Sequence, residues 1–108
     1  AGTLEAGESP LACARRELAE ETGFSAERWQ PLGIITPLPA YSDEKIHLFR
    51  AQALAPAESR LDADEIVEVH PIALEEALAM IAAGTICDAK TIAGLALSGW
   101  QAPGTAAF

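Results

Sequence analysis

The sequence predicts an α/β fold. Three observations indicate this class: a capped helix near the start, apolar strand-like stretches in the middle, and two helical stretches near the end. Half of the 108 residues are hydrophobic, which is enough for a packed core in one small domain. We therefore expect residues 1–108 to form a single domain.

The first helix has the clearest predicted boundaries. It follows a loop over residues 1–8, with Ser9 as the N-cap and Pro10 at the first helical position. Gly23 is a residue type that commonly ends helices, so the helix is predicted to run through about Thr22.

Three stretches after this helix predict strands. Residues 31–37 resemble a buried strand, and residues 46–54 have the apolar content of a central strand. Residues 65–72 alternate between apolar and polar side chains, as in a strand with one face exposed to solvent. Polar loops over 38–44 and 55–65 separate them.

Two helices are predicted at the end. Residues 73–84 form an amphipathic pattern that ends in Gly, and Asp88 is expected to cap a last helix over 89–97. Three strands are few for a sheet that must cover helices, so we expect further strands in front of residue 1.

The charge and the cysteines restrict the possible partners and the compartment. The formal net charge of −9 disfavours nucleic acid and anionic membranes as partners and favours divalent cations. No apolar run approaches the ~20 residues of a membrane span. Cys13 and Cys87 lack metal-ligand spacing, so we expect two free, partly buried thiols in a reducing compartment, the cytoplasm.

The segment AGTLEAGESPLACARRELAEETGF, residues 1–24, contains an unusual acidic pattern. Glu17, Glu20 and Glu21 lie at i, i+3 and i+4, so they project from one side of the predicted helix. Such carboxylates repel each other unless a cation relieves the repulsion, and hard divalent cations prefer oxygen ligands. A pair of adjacent glutamates without this wider pattern would instead indicate an ordinary helix face exposed to solvent.

The spacing of the whole segment resembles the signature of the Nudix hydrolases, Gx5Ex7REUxEExGU, in which U is a bulky aliphatic or aromatic residue. Every position matches, from Gly2 and Glu8 to Phe24. The resemblance implies a mixed β-sheet sandwiched between helices, with the motif helix on one face. Because several strands normally precede the motif, it also implies that the domain is N-terminally incomplete.

The family resemblance also implies roles for the acids. Glu17 and Glu21 correspond to the main ligands of Mg²⁺ or Mn²⁺, and Glu20 to a further or water-mediated ligand. In relatives that cleave ADP-ribose, the carbonyl just before the first motif glycine also binds metal, and here that residue is Ala1.

Arg16 is implied to act on the same cluster. Paired with Glu8 through charge-assisted hydrogen bonds, it is expected to orient the catalytic acids. The motif glycines Gly2 and Gly23 match the loop and the helix end of the family.

Two weaker features resemble the ADP-ribose and nucleotide-sugar branch. Pro39 lies 16 residues after the last motif glycine, although it is also compatible with an ordinary loop proline. Residues 36–49, TPLPAYSDEKIHLF, are similar to the branch pattern SPGFSDEKIHLF, with Ala40 where glycine is usual. In this segment Tyr41 is either a substrate-facing aromatic or a packing residue, and Glu44 is either a site acid or a solvated one.

A third feature lies towards the C-terminal end. RLDADEIVEV and GTICDAKTIAGL, residues 60–69 and 84–95, resemble the branch's acidic loop, strand and helix start. In the branch an acid of this loop is the general base or a late metal ligand. Glu65 and Asp64 are the best candidates here, followed by Asp62.

The expected activity is therefore metal-dependent hydrolysis of ADP-ribose, or of a related nucleoside diphosphate sugar, to a nucleoside monophosphate and a sugar phosphate. A homodimer is the expected assembly, as the resemblance implies. Two alternatives remain open. One is a Nudix hydrolase of a dinucleoside polyphosphate, a coenzyme A or an oxidised nucleotide. The other is a non-catalytic module that senses a nucleotide.

Overall fold

The computed structural model describes residues 1–57 and 68–99. Its elements follow in chain order and combine helices with a sheet, which confirms the predicted α/β class. These elements are α1 (Pro10–Thr22), β1 (Phe24–Ile35), β2 (Ile46–Pro56), α2 (Leu74–Ala82) and α3 (Ala89–Leu97).

Helix α1 has the predicted boundaries at both ends. The Ser9 Oγ accepts a hydrogen bond from the Ala12 N–H at 3.1 Å, so Ser9 is the N-cap. Gly23 ends the helix in the left-handed region, with φ 75°, and its N–H donates to the Ala19 carbonyl at 3.0 Å. Both caps are local, which explains why the sequence predicted them well.

Strands β1 and β2 pair in a two-stranded sheet within the described ranges. The Ala57 N–H donates to the Gly23 carbonyl at 2.7 Å, and the Arg50 Nη1 donates to the Gln30 Oε1 at 3.3 Å. The residue number falls on one strand as it rises on the other, so the strands are antiparallel.

The strand predictions were less accurate than the helix predictions. β1 begins at Phe24, seven residues before the predicted start at 31, because the chain pairs with β2 directly after Gly23. Residues 68–72 belong to no strand, so the strand predicted over 65–72 is wrong there, while 65–67 lie outside the described residues. An alternating pattern alone does not provide a pairing partner.

The two later helices agree with their predictions. α2 ends at Ala82, and Gly84 follows it in a left-handed conformation with φ 80°. At the start of α3, the Asp88 carboxylate accepts a hydrogen bond from the Thr91 N–H at 2.9 Å, which confirms it as the N-cap. None of the helices in the described ranges combines the length and the apolar character needed to cross a membrane.

The chain divides into two compact units. The first comprises Ala1–Gln30 and Phe49–Pro71, and the second comprises Pro31–Leu48 and Ile72–Phe108. Among the described residues, burial is deepest at Cys13 in the first unit and at Ala77 in the second, with 6% and 5% of their surface exposed. The whole motif segment, residues 1–24, belongs to the first unit.

Candidate functional site

Helix α1 brings three carboxylates of the motif together. Glu17, Glu20 and Glu21 have side chains that are 19%, 29% and 34% exposed. Their spacing on a helix places them on one side, and their partial exposure leaves them open to ions from solvent. These three side chains therefore form a half-buried acidic surface of α1.

Arg16 is the centre of this acidic cluster. Its Nε donates to the Glu8 Oε2 at 2.8 Å, and its Nη2 donates to the Glu8 Oε1 at 3.0 Å. Its Nη1 donates to the Glu17 Oε1 at 2.9 Å and to the Glu20 Oε2 at 3.2 Å. The planar guanidinium can serve all of these acceptors because its donors point outward in a fixed fork.

The Arg16 guanidinium also contacts the loop that precedes α1. The Arg16 Nη2 donates to the Thr3 carbonyl at 3.2 Å, and Nη1 lies 3.7 Å from the Glu5 Oε1. Neither contact was predicted, because the signature leaves residues 3 and 5 unspecified. Arg16 thus joins the loop to the acids of α1.

The contact of Glu8 with Arg16 shifts both pKa values in the expected directions. The hydrogen bond from Arg16 is the main cause that lowers the pKa of Glu8 to about 2, with a further contribution from the Glu5 backbone. The same hydrogen bond raises the pKa of Arg16. Both groups are therefore charged at neutral pH.

The buried thiol of Cys13 lies beside this pair. Its Sγ is 3.8 Å from the Arg16 Nη2, and burial, followed by the charge of Glu8, raises the pKa of the thiol. The sequence predicted two free, partly buried thiols. Both are free, but only Cys13 is buried; Cys87 is exposed, so its predicted burial is wrong. Cys13 lies three residues before Arg16 on the predicted helix, so helix periodicity is the signal that could have predicted this contact.

The start of the chain lies close to the acids. A Cβ atom added at Gly2 would overlap the Glu17 carboxyl group, so only glycine allows this approach. The Ala1 nitrogen lies 3.2 Å from the Glu21 Oε2. The first two residues are thus next to two of the predicted metal ligands.

The donor set of the cluster suits a hard cation. Carboxylate oxygens are ligands that Mg²⁺ and Mn²⁺ prefer. Within residues 1–57 and 68–99, however, no three His, Cys, Asp or Glu side chains are arranged so that they could hold a metal ion. Glu17 and Glu20 each direct an oxygen at Arg16 instead. The chemistry fits a divalent cation, and binding one would require these side chains to turn.

The predicted substrate residues Pro39, Tyr41 and Glu44 lie in the second unit, on the loop between β1 and β2. The Tyr41 N–H donates to the Leu38 carbonyl at 3.0 Å, and the Tyr41 side chain is 90% exposed. The Glu44 N–H donates to the Ser42 Oγ at 3.0 Å. Turn contacts within the loop thus fix its backbone, and Tyr41 does not pack in a core.

The predicted general-base candidates lie outside the described residues. They are Asp62, Asp64 and Glu65. Their roles stay predictions.

Comparison with known proteins supports the motif analysis. The NUDIX domain model matches residues 1–95. The ADP-ribose pyrophosphatase of Bacillus subtilis (strain 168) is 42% identical over 93 residues, which cover 84% of this chain and 50% of that protein. The methanol dehydrogenase activator of Bacillus methanolicus is 43% identical over 94 residues, which cover 85% of this chain and 51% of that protein.

A third relative carries another substrate in its name. The GDP-mannose pyrophosphatase of Yersinia enterocolitica is 41% identical over 95 residues, which cover 85% of this chain and 49% of that protein. The chain thus spans about half the length of these relatives. Since the domain match extends over most of the sequence and includes the complete acidic signature, the chain belongs to the NUDIX domain family.

Proposed function

We propose that the protein is a divalent-cation-dependent hydrolase that cleaves the pyrophosphate of a nucleoside diphosphate sugar, with ADP-ribose as the first candidate. Water and ADP-ribose would give AMP and ribose 5-phosphate. The observation that carries the proposal is the group of Glu17, Glu20 and Glu21 on one side of α1, of which Glu17 and Glu20 contact Arg16.

Charge supports this proposal. Four carboxylates, those of Glu5, Glu8, Glu17 and Glu20, contact a single guanidinium, which leaves a formal charge of −3, and Glu21 adds a further carboxylate on the same helix. This excess attracts cations and would repel a pyrophosphate that arrived without one. A cation is therefore required for the substrate to approach these acids.

Glu17 and Glu21 would hold the cation, with Glu20 as a further ligand and the Ala1 carbonyl as a backbone ligand. Mg²⁺ or Mn²⁺ bound there would neutralise phosphate charge and acidify a coordinated water. Arg16 would orient the acids, because its contacts with Glu8 keep the guanidinium in place beside them.

The remaining roles are proposed from the resemblance. An acid of the loop that contains Asp62, Asp64 and Glu65 would position or deprotonate the attacking water. Pro39, Tyr41 and Glu44 would contact the substrate, and the exposure of Tyr41 leaves its ring free for stacking. The protein would work in the cytoplasm as a homodimer of single-domain subunits.

The names of the relatives support a nucleotide sugar as the substrate class. Two of them are called ADP-ribose pyrophosphatase and GDP-mannose pyrophosphatase. GDP-mannose is therefore the second candidate substrate. The base and the sugar distinguish the two, whereas the pyrophosphate linkage is common to both.

The test is to incubate the intact protein with ADP-ribose or GDP-mannose and Mg²⁺, and to analyse the products. Glu17→Gln and Glu21→Gln preserve side-chain size and remove a charged ligand. Glu75→Gln on α2 is the matched control, since it removes one exposed charge outside the cluster.

We expect AMP and ribose 5-phosphate from the parent and from Glu75→Gln, and a loss of activity of at least about a hundredfold in both cluster variants. Cleavage of GDP-mannose alone would change the substrate but not the reaction. Cleavage of neither sugar nucleotide would refute the proposed substrate class. Full activity in Glu17→Gln and Glu21→Gln would refute the proposed ligands.

A further inference from the structure

Glu5 is held next to Glu8 by two contacts that involve its backbone. The Glu5 N–H donates to the Glu8 Oε1 at 3.1 Å, and the Glu8 N–H donates to the Glu5 carbonyl at 3.0 Å. These bonds close the turn before α1, so the position of Glu5 depends little on its own side chain. The same Glu8 oxygen also accepts from Arg16, which connects the turn with the guanidinium.

The Glu5 carboxylate reaches Arg16 from the loop side. Three carboxylates surround the Arg16 Nη1: Glu17 at 2.9 Å, Glu20 at 3.2 Å and Glu5 at 3.7 Å. A guanidinium nitrogen of this kind carries only two N–H groups. Nη1 donates these to Glu17 and Glu20, whereas the Glu5 carboxylate at 3.7 Å lies beyond hydrogen-bond distance and attracts Nη1 by its charge.

We propose that Glu5, at a position which the family signature leaves open, is a positioning residue that shares Arg16 with Glu17 and Glu20. By drawing the guanidinium towards the loop, it makes the carboxylates of α1 easier to turn towards a cation. The effect on cation binding rests on the proposed function, because it requires a divalent cation at these acids.

Two effects then act in the same direction when the Glu5 charge is removed. Arg16 holds Glu17 and Glu20 more firmly, and the cluster loses one negative charge. Both weaken cation binding. Since the Glu5 side chain is 69% exposed, solvent screens its charge and the expected effect is moderate.

Two variants separate the contact from the charge. Glu5→Gln keeps the length and removes the charge, whereas Glu5→Asp keeps the charge but is one methylene too short to reach Nη1. Glu75→Gln removes a charge elsewhere. For each variant of the intact protein we would measure Mn²⁺ affinity by calorimetry without substrate, the ¹H–¹⁵N signal of the Arg16 Nε–H group, and the melting temperature.

We expect Glu5→Gln to bind Mn²⁺ about two- to fivefold more weakly than the parent, and Glu5→Asp to bind more weakly by a smaller factor because it keeps the charge. Both variants should shift the Arg16 signal, while their melting temperatures remain close to that of the parent. Glu75→Gln should match the parent in all three measurements. If Glu5→Asp behaves like the parent, the contact with Nη1 has no role, and the proposal is overturned. It is also overturned if Glu5→Gln leaves the Arg16 signal unchanged.

A failure of the proposed function would look different. If the parent binds no Mn²⁺, the cation part of that function fails. The Arg16 signal then still decides whether Glu5 positions the guanidinium: a shift in both Glu5 variants supports the role, and an unchanged signal overturns it.

Discussion

Arg16 binds both oxygens of Glu8, through Nε at 2.8 Å and Nη2 at 3.0 Å. Glu8 lies before the helix and Arg16 lies within it, so this two-bond contact ties the loop to α1. A two-bond contact fixes the orientation of the guanidinium plane as well as its position. The direction in which Nη1 faces Glu17 and Glu20 follows from that plane.

The replacement Arg16→Lys should weaken cation binding although the charge is kept. An ammonium group is a point charge and cannot bind Glu8 through two parallel bonds while also holding Glu17. We expect Mg²⁺ affinity to fall about 10- to 100-fold, the range typical of residues that orient metal ligands. Calorimetric titration measures the change. Arg28→Lys, at an exposed position of β1, is the control, and parent-like affinity in Arg16→Lys would contradict the prediction.

The replacement Gly2→Ala should displace Glu17 without unfolding the helix. The new Cβ would overlap the Glu17 carboxyl group, and this side chain is flexible enough to turn away. We expect helix content by circular dichroism to be unchanged and kcat/KM to fall about tenfold or more.

Gly94→Ala is the matched control for Gly2→Ala. An added Cβ at Gly94 meets nothing within 4 Å, and the position lies inside α3. Alanine there should stabilise the protein by about 0.5–1 kcal/mol and leave activity unchanged. Equal activity of the Gly2→Ala variant and the parent would show that the close approach to Glu17 is dispensable.

The N-cap of α3 should make stability depend on pH in the acid range. The Thr91 backbone N–H is the main cause that lowers the pKa of Asp88 from 3.8 to about 2, followed by Lys90. A lowered carboxyl pKa means that the folded state prefers the ionised form. This stabilisation is complete above pH 3.8 and is lost as the pH falls through about 2.

Asp88→Asn separates the cap from its titration, because asparagine also accepts the cap hydrogen bond but does not ionise. Amide chemical shifts of α3, followed from pH 5 to below pH 2, should show a transition in the parent that is absent in the variant. The same transition in both proteins would assign it to another group.

The strained residue of β2 offers a stabilising substitution. Ala53 has φ 59°, which is unfavourable for any residue with a Cβ. Ala53→Gly should therefore stabilise the protein by about 0.5–1 kcal/mol, measured by urea unfolding. Ala51→Gly in the same strand, where φ is ordinary, should destabilise it by a similar amount. Destabilisation by Ala53→Gly would contradict the assigned strain.

The sequence predicted most accurately the features that depend on neighbouring residues. Ser9, Gly23 and Asp88 cap their helices as expected, because each cap involves groups only a few residues away. Strand boundaries depend on distant partners: β1 starts early because Gly23 meets Ala57, and residues 68–72 form no strand.

In the candidate site, too, features set by neighbouring residues could be predicted, and features that depend on the path of the chain could not. The spacing of the glutamates along α1 follows from helix periodicity and could be predicted from the sequence alone. The additional contacts of Arg16, with Thr3 and Glu5, depend on how the loop folds back, and no residue spacing encodes that path. The contact of Cys13 with Arg16 is different, because both residues lie on α1 three positions apart, and helix periodicity could have predicted it.

The contacts of Arg16 also affect the order in which the protein folds. Its partners lie between one and 13 residues away along the chain. Closing such short loops takes less time than forming a β-hairpin such as that of β1 and β2. The acidic centre can thus assemble from one contiguous segment during the earliest folding events, before β1 finds β2.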